Sequence, residues 1–231
     1  MFILAHLSDP HLGPLPKPRM AELVGKRATG YVNWRRKRAA IHRPEVLGRI
    51  VADIKQQAAD HIAVTGDLVN LALPAEYAPA RAWLDSLGAP DNVTLVPGNH
   101  DAYVRTAITY RRLHWSTYMR GDGVADTEPV EFPFLRRRGP LALIGVSSAV
   151  PSLPLMAIGR VGSWQLEPLA KLLDRCRDEG LFRVVMIHHP PTSKRSHYLK
   201  RLVDGALFRD TLARHGAELV IHGHNHRRQT V

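Results

Sequence analysis

Short apolar runs alternate along the chain with longer stretches in which apolar residues recur at helical spacing. FILAHLS (2–8), HIAVTGD (61–67), NVTLVPGN (92–99), FRVVMIH (182–188) and ELVIH (218–222) have the length and β-branched content of strands. After Pro44, the residues Val46, Leu47, Ile50, Val51 and Ile54 stand three and four apart, which predicts a helix. The same spacing predicts helices over 74–87, 103–119, 163–179 and 205–214, with Ser163 as a cap. VEFPFL (130–135) and LALIGV (141–146) predict neighbouring strands joined by an RRRG turn, which would leave Arg136, Arg137 and Arg138 in solvent. Trp83, Trp115 and Trp164 fall on helical patterns and are expected in the core. Strand–helix alternation implies an α/β fold with buried, mostly parallel strands, to which the 130–146 pair adds an antiparallel element.

Neither a repeat nor a linker interrupts this order, so a single domain over 1–231 is expected. Residues 14–43 break the alternation. They are basic and Pro-rich, and they predict an irregular insertion. The stretch from Gly139 to Gly159 carries no charge and approaches membrane-spanning length. Pro140, Pro151, Pro154 and the pair Ser147-Ser148 argue instead for a buried strand followed by an uncharged loop. At the N-terminus, the apolar run meets His6 and Asp9 within a few residues, unlike a secretory leader.

The polar residues that follow the strands change the picture. The first strand runs into Ser8-Asp9-Pro10-His11, the second into Gly66-Asp67, and the third into Gly98-Asn99-His100-Asp101. The strand at 182–188 leads into His188-His189, and the last into His222-Gly223-His224-Asn225-His226. In α/β sheets the ligand crevice lies at the carboxyl ends of strands, so five such ends deliver Asp, Asn and His side chains to one edge. These are oxygen and imidazole donors without thiolate, and they outnumber what one tetrahedral ion needs. They suit two divalent ions such as Mn, Fe, Zn, Co or Ni. Taken singly, each motif is weak. It is their recurrence at strand ends, next to small or turn-forming residues, that carries the inference. Gly66, Gly98 and Gly223 are expected to let the backbone turn there.

DPH (9–11), GDLVN (66–70), GNHD (98–101), HHP (188–190) and GHNH (223–226) together resemble the five ordered motifs of the calcineurin-like metallophosphoesterase superfamily. The resemblance spans residues 9–226 and implies a four-layer α/β/β/α sandwich of mixed sheets with a dinuclear metal centre at one edge. It places Asp9, His11 and His226 on one metal, Asn99, His188 and His224 on the other, and Asp67 between them. His188 is chosen over His189 because the family's ligand stands two residues before the proline; His189 is then a neighbour. His100 would contact the scissile phosphate and protonate the leaving oxygen, while Asp101 and Asn70 would stand behind the ligands or near the substrate. Many members end the second motif with a carboxylate that orients this histidine. Asn70 stands there in this chain, which weakens the expected acid role of His100. The implied reaction is attack on phosphorus by a metal-bound hydroxide, Asp67 holding the metal pair.

With 231 residues, 45% of them hydrophobic, the chain can bury a sizeable core. Its net charge of +11 favours anionic partners. Cys176 is the sole cysteine, which excludes an internal disulfide and is compatible with a cytoplasmic protein. Residues 17–43 carry Lys17, Arg19, Lys26, Arg27, Arg35, Arg36, Lys37, Arg38 and Arg43, with Tyr31 and Trp34 interleaved. Such a stretch can grip a polyanion, lie on an anionic membrane, or simply be solvated. Since it leaves DPH directly, it is expected near the mouth of the site. SSAVPSLPLMAIGR (147–160) is either an apolar lid or packing for a sheet edge. Lys194, Arg195, His197, Lys200 and Arg201 would bind a distal phosphate or form an exposed face.

A phosphodiester substrate is favoured: a cyclic nucleotide, a glycerophosphodiester or a lipid-linked pyrophosphate. The alternatives are a nuclease and a non-catalytic scaffold, although the latter should have lost ligands. Family members commonly continue with further strands past the last HxH, so a C-terminally incomplete sheet is expected of a chain ending at Val231.

Overall fold

A computed structural model describes residues 1–38, 43–192 and 195–227. Three strands, β1 (Leu4–Leu7), β2 (His61–Val64) and β3 (Val93–Leu95), form a parallel sheet in the order β1-β2-β3. Four more, β4 (Phe134–Arg138), β5 (Leu141–Gly145), β6 (Phe182–Met186) and β7 (Leu219–Ile221), form a second sheet in sequence order. Only β4 and β5 pair antiparallel; β5-β6 and β6-β7 are parallel. The helices are α1 (Lys26–Asn33), α2 (Pro44–Gln56), α3 (Pro74–Leu87), α4 (Ala107–Trp115), α5 (Ser163–Asp178) and α6 (Gly205–His215).

Alternation along β6 explains the layers. Val184 and Met186 point to one face and join a core with β2, β3, α3 and α4; Val185 and Ile187 point to the other and join Leu169, Leu173 and Phe208 of α5 and α6. The second sheet is therefore buried on both faces, as its near-continuous apolar strands require. The chain has the α/β architecture of two sheets flanked by helices.

Pro44 and Pro74 each sit in the first turn of their helices, where the missing N–H costs nothing. Glu76, in the first turn of α3, is buried and accepts the backbone N–H groups of Asn70, Leu71 and Leu73 at 2.6, 3.1 and 2.8 Å. That clamp fixes how the loop after β2 enters α3.

Three expectations need correction. Of the described residues in 14–43, only the first part is irregular: α1 follows it, preceded by a 3-10 turn (Met20–Glu22) and continued by a π-type turn over Trp34–Arg38. The arginine run is not a turn either. β4 begins four residues later than the apolar pattern suggests, and Arg136, only 4% exposed, lies inside it. Its guanidinium donates to the carbonyls of Arg120, Pro90, Val93 and Thr117, which replace the solvent it would otherwise seek. Finally, Trp115 is fully buried, whereas Trp164 is 63% exposed.

Candidate metal centre

Each predicted site residue lies just past a strand, where the ladder gives way to a turn. The loop after β1 runs beside the loop after β2: the N–H groups of Asp9, His11 and Leu12 donate to the carbonyls of Gly66, Asp67 and Leu68 at 3.0, 3.0 and 2.8 Å. Asp9, His11, Asp67, His224 and His226 all have positive φ, between 41° and 74°. Non-glycine residues seldom sit there, and such strain is held only where the surroundings over-determine it. The expected glycine turns are borne out only at Gly66. Gly98 and Gly223 serve close approach instead: a Cβ on Gly98 would lie 2.2 Å from Asp67 Oδ1, and one on Gly223 would lie 1.7 Å from Ser8 Oγ.

The side chains gather as follows. His188 Nε2 stands 3.2 Å from Asn99 Oδ1, 3.2 Å from His224 Nδ1 and 3.3 Å from Asp67 Oδ2. His226 Nε2 stands 3.2 Å from His11 Nε2 and 3.3 Å from Asp9 Oδ1. Asp67 Oδ2 is also 3.7 Å from His11 Nε2, so one carboxylate oxygen faces both groups. Asp9, His11 and His226 can converge on one ion, as can Asp9, Asp67 and His188. His224 and His226 do not reach their groups along an extended backbone, as simple alternation suggests; each turns in through a left-handed residue.

The outer hydrogen bonds decide what these atoms offer. His188 Nδ1–H donates to the Thr65 carbonyl at 2.7 Å, His11 Nδ1–H to that of Val69 at 3.3 Å, and His224 Nε2–H to that of Lys200 at 2.9 Å. The other nitrogen of each ring then presents a lone pair inward. The interior thus brings imidazole lone pairs, the Asn99 amide oxygen and carboxylates face to face. Asp9 Oδ1 is buried and, although His226 Nε2 stands 3.3 Å away, it makes no well-aligned hydrogen bond. Acceptors packed against acceptors need positive charge between them, so the donor set fits divalent cations.

With no ion between them, the carboxylates draw protons onto the imidazoles instead. Burial would lower the pKa of His188, but the Asp67 carboxylate outweighs it and raises it to about 9. Burial opposes ionisation of Asp67, yet the charges of His188 and His100 hold its carboxyl well below the usual range. Asp9 is pulled down to about 2 against its burial, mainly by His226 and His188. His224 is lowered to about 3 by burial and by the charge of His188.

His189 lies among the same rings, close enough to His188 and His224 to share an ion with them. However, its Nδ1 meets Ser148 Oγ at 2.8 Å and its Nε2 meets the Ala157 carbonyl at 3.1 Å. With both nitrogens engaged, it ties the 148–157 loop to the centre, and His188 is the better donor. Asp101, fully buried, accepts N–H groups from Asp67, Leu68, Val69 and Gly98 at 2.7, 2.8, 3.2 and 2.8 Å. Burial and the Asp67 charge push its carboxyl up to about 7 against those donors.

His100 donates its backbone N–H to Asp67 Oδ1 at 2.7 Å, and its ring Nδ1–H to the Asn70 backbone carbonyl. The expectation that an Asn70 side-chain amide steers the ring is therefore replaced. That side chain turns away to donate to the Leu12 carbonyl at 2.9 Å. Tyr103 stacks on the His100 ring at 5.4 Å.

Beside His100 lies a cleft of 280 Å³ between α1 and the 155–157 loop, lined by Lys26, Trp34, Asn70, Tyr103, Met156 and others. Both predicted rim segments contribute to it. Lys26 is buried and donates to Ser152 Oγ at 2.6 Å and the Met156 carbonyl at 2.9 Å, above the Tyr103 ring. Burial lowers its pKa to about 8, with Asp67 opposing. Sequence reasoning counted Lys26 as one of many basic residues. The cue to its burial is Gly30, one turn later, where a Cβ would lie 2.3 Å from the Tyr103 hydroxyl. Leu153 and Leu155, 71% and 87% exposed, do not pack against a sheet edge. Lys200 lines the cleft and Arg201 folds over Tyr198, whereas Lys194 lies outside the described residues. Among the described residues, no helix is long and apolar enough to cross a membrane.

Comparison with known proteins agrees with this arrangement. The family model for the calcineurin-like phosphoesterases matches residues 2–228. A probable cyclic nucleotide phosphodiesterase of Synechococcus sp. is 28% identical over 183 residues, which cover 77% of this chain. The match takes in 62% of that relative's own length.

Proposed function

The chain belongs to the calcineurin-like phosphoesterase family, and from that premise we propose that it is a dinuclear phosphodiesterase acting on small polar esters. Membership makes it a metal-dependent hydrolase of phosphoester bonds. The observation that carries the finer reading is Asp67 Oδ2, which faces His188 and His11 at once. Two divalent ions, from among Mn, Fe, Zn, Co and Ni, would be held by Asp9, His11 and His226 on one side and Asn99, His188 and His224 on the other, with Asp67 shared, and they would neutralise phosphate oxygens and acidify water. Two ions rather than one are supported by the number of inward-facing donors, which exceeds a single tetrahedral set.

The chain's own residues do the rest. The His100 ring, fixed by the Asn70 carbonyl, contacts the scissile phosphate and delivers a proton to the leaving oxygen. A neutral carbonyl stabilises an imidazolium less than a carboxylate does, so esters with good leaving groups are favoured. Lys26 places a positive charge at the cleft wall beside His100. A cleft of 280 Å³ is at the small end of ligand pockets, which favours a cyclic nucleotide or a glycerophosphodiester over a lipid-linked pyrophosphate or a nucleic acid. The name of the Synechococcus relative supports the cyclic nucleotide. Any peripheral contact with an anionic membrane would use the basic residues of 17–43, and a cytoplasmic setting is the simplest one for such an enzyme.

Metal analysis of the purified chain, with hydrolysis of bis(p-nitrophenyl) phosphate and p-nitrophenyl phosphate, tests this. Two ions per chain and faster diester turnover are expected, with both ion pairing and turnover lost in Asp67→Asn. One ion in a fully active protein, or undiminished turnover in Asp67→Asn, overturns the dinuclear reading. Faster monoester turnover overturns the substrate class alone.

A further inference from the structure

A second cleft, of 540 Å³, lies between α4, the 130–133 segment, the loop after β5 and the start of α5. None of the residues gathered around Asp67 lines it. Its walls combine two kinds of surface. Phe132 and Trp164 supply aromatic faces, and Arg111, Arg112 and Arg160 supply positive charge. Trp164 stands in the first turn of α5, 63% exposed, with no place in either hydrophobic core.

Arg111 is the telling residue. Its Nε is buried and has no hydrogen-bond partner. A guanidinium nitrogen buried without a carboxylate or carbonyl costs free energy, because the water it gives up is not replaced. Burial accordingly lowers its pKa. The opposing charge that acts on it most is Asp101, whose oxygens are already committed to four backbone N–H groups. Among the described residues, none of the three guanidinium groups forms an ion pair, although Glu131 also lines the cleft. Arg136 shows the contrast: it is more deeply buried, and carbonyls satisfy it.

We propose that this cleft is a second ligand site, which binds an organic anion with an aromatic body. The anionic group pairs with Arg111, assisted by Arg112 and Arg160, and the ring lies against Trp164 and Phe132. Charge-assisted contacts to guanidinium fix the anion, and the aromatic faces add area that a bare inorganic ion cannot use. A volume of 540 Å³ lies within the range of small-molecule sites. The site stands independently of the reaction proposed at the metal centre.

Calorimetric titration of the metal-loaded chain with 1-naphthalenesulfonate, an aromatic anion with no hydrolysable ester, tests it. One saturable site is expected, with the neutral 1-naphthalenemethanol at least about tenfold weaker, as befits the loss of a charge-assisted contact. Arg160→Gln and Trp164→Ala alter exposed side chains, and each should weaken binding by about threefold to tenfold. Arg111→Met should abolish it. Lys26→Met, at the other cleft, should leave sulfonate binding unchanged. Equal affinity for the neutral alcohol, absence of a saturable site, wild-type binding in both exposed variants, or loss of binding in Lys26→Met would each overturn the proposal.

Discussion

The Asp101 carboxylate closes on the backbone N–H of Asp67 at 2.7 Å, and the same oxygen takes the N–H of Gly98 at 2.8 Å. One buried side chain thus joins the turn after β2 to the turn after β3. Asp101→Asn keeps the shape but points an NH2 group at backbone donors. We expect a loss of about 2–4 kcal/mol, measured as a lower urea midpoint at unchanged slope. A midpoint equal to that of the parent would show that the four N–H groups find other acceptors.

His100 is expected to act on the leaving group rather than on metal uptake. His100→Ala should retain bound metal while turnover falls by about 10²–10⁴ for an alkyl diester. For bis(p-nitrophenyl) phosphate, whose leaving group needs little protonation, the fall should be much smaller. Equal losses on both esters would assign the ring a purely binding role.

Arg136 predicts a structural penalty far from the centre. Arg136→Met leaves the carbonyls of Arg120, Pro90, Val93 and Thr117 without their donor. A destabilisation of about 3–4 kcal/mol is expected by thermal or urea unfolding. Arg136→Lys should recover less than half, since one ammonium cannot reach all four.

His61 gives the fold an acid limit that owes nothing to catalysis. The ring is fully buried, and its Nε2 meets Thr94 Oγ1 at 2.7 Å. Burial, followed by the charges of Arg138 and Arg136, lowers its pKa from 6.5 to about 3. Between those values the unfolded chain binds a proton that the folded chain refuses. Stability therefore falls as the pH falls, by about 1.4 kcal/mol per unit from this group. In His61→Gln, stability measured from pH 7 to pH 4 should decline less steeply than in the parent, and parallel curves would refute the assignment.

The candidate ligand residues were legible in sequence because each follows an apolar run, beside Gly, Pro or another turn-former. The resemblance to the family's five ordered motifs could then assign Asp9, Asp67, Asn99, His188 and the GHNH pair as candidate ligands without reference to tertiary contacts. What escaped was decided by contacts between distant segments. Nothing local marks Arg136 as buried; its acceptors come from Pro90, Val93, Thr117 and Arg120. α1 is short, and it is held by Lys26 reaching the Ser152–Met156 loop and by Gly30 against Tyr103. The partner of His100 was sought among side chains, whereas the structure supplies a main-chain carbonyl. Main-chain acceptors leave no trace in residue identity.

The left-handed backbone at Asp9, His11, Asp67, His224 and His226 bears on which sequences could ever occupy this site. Asp, Asn and His are the non-glycine residues most at home in that conformation. They are also hard-to-intermediate donors for divalent ions. Two unrelated demands therefore select the same short alphabet. A glutamate or a cysteine could offer a metal a comparable atom, yet each would have to hold a turn it disfavours. A library randomised at these five positions should return mostly Asp, Asn, His and Gly when selected for folding alone, before any selection for activity.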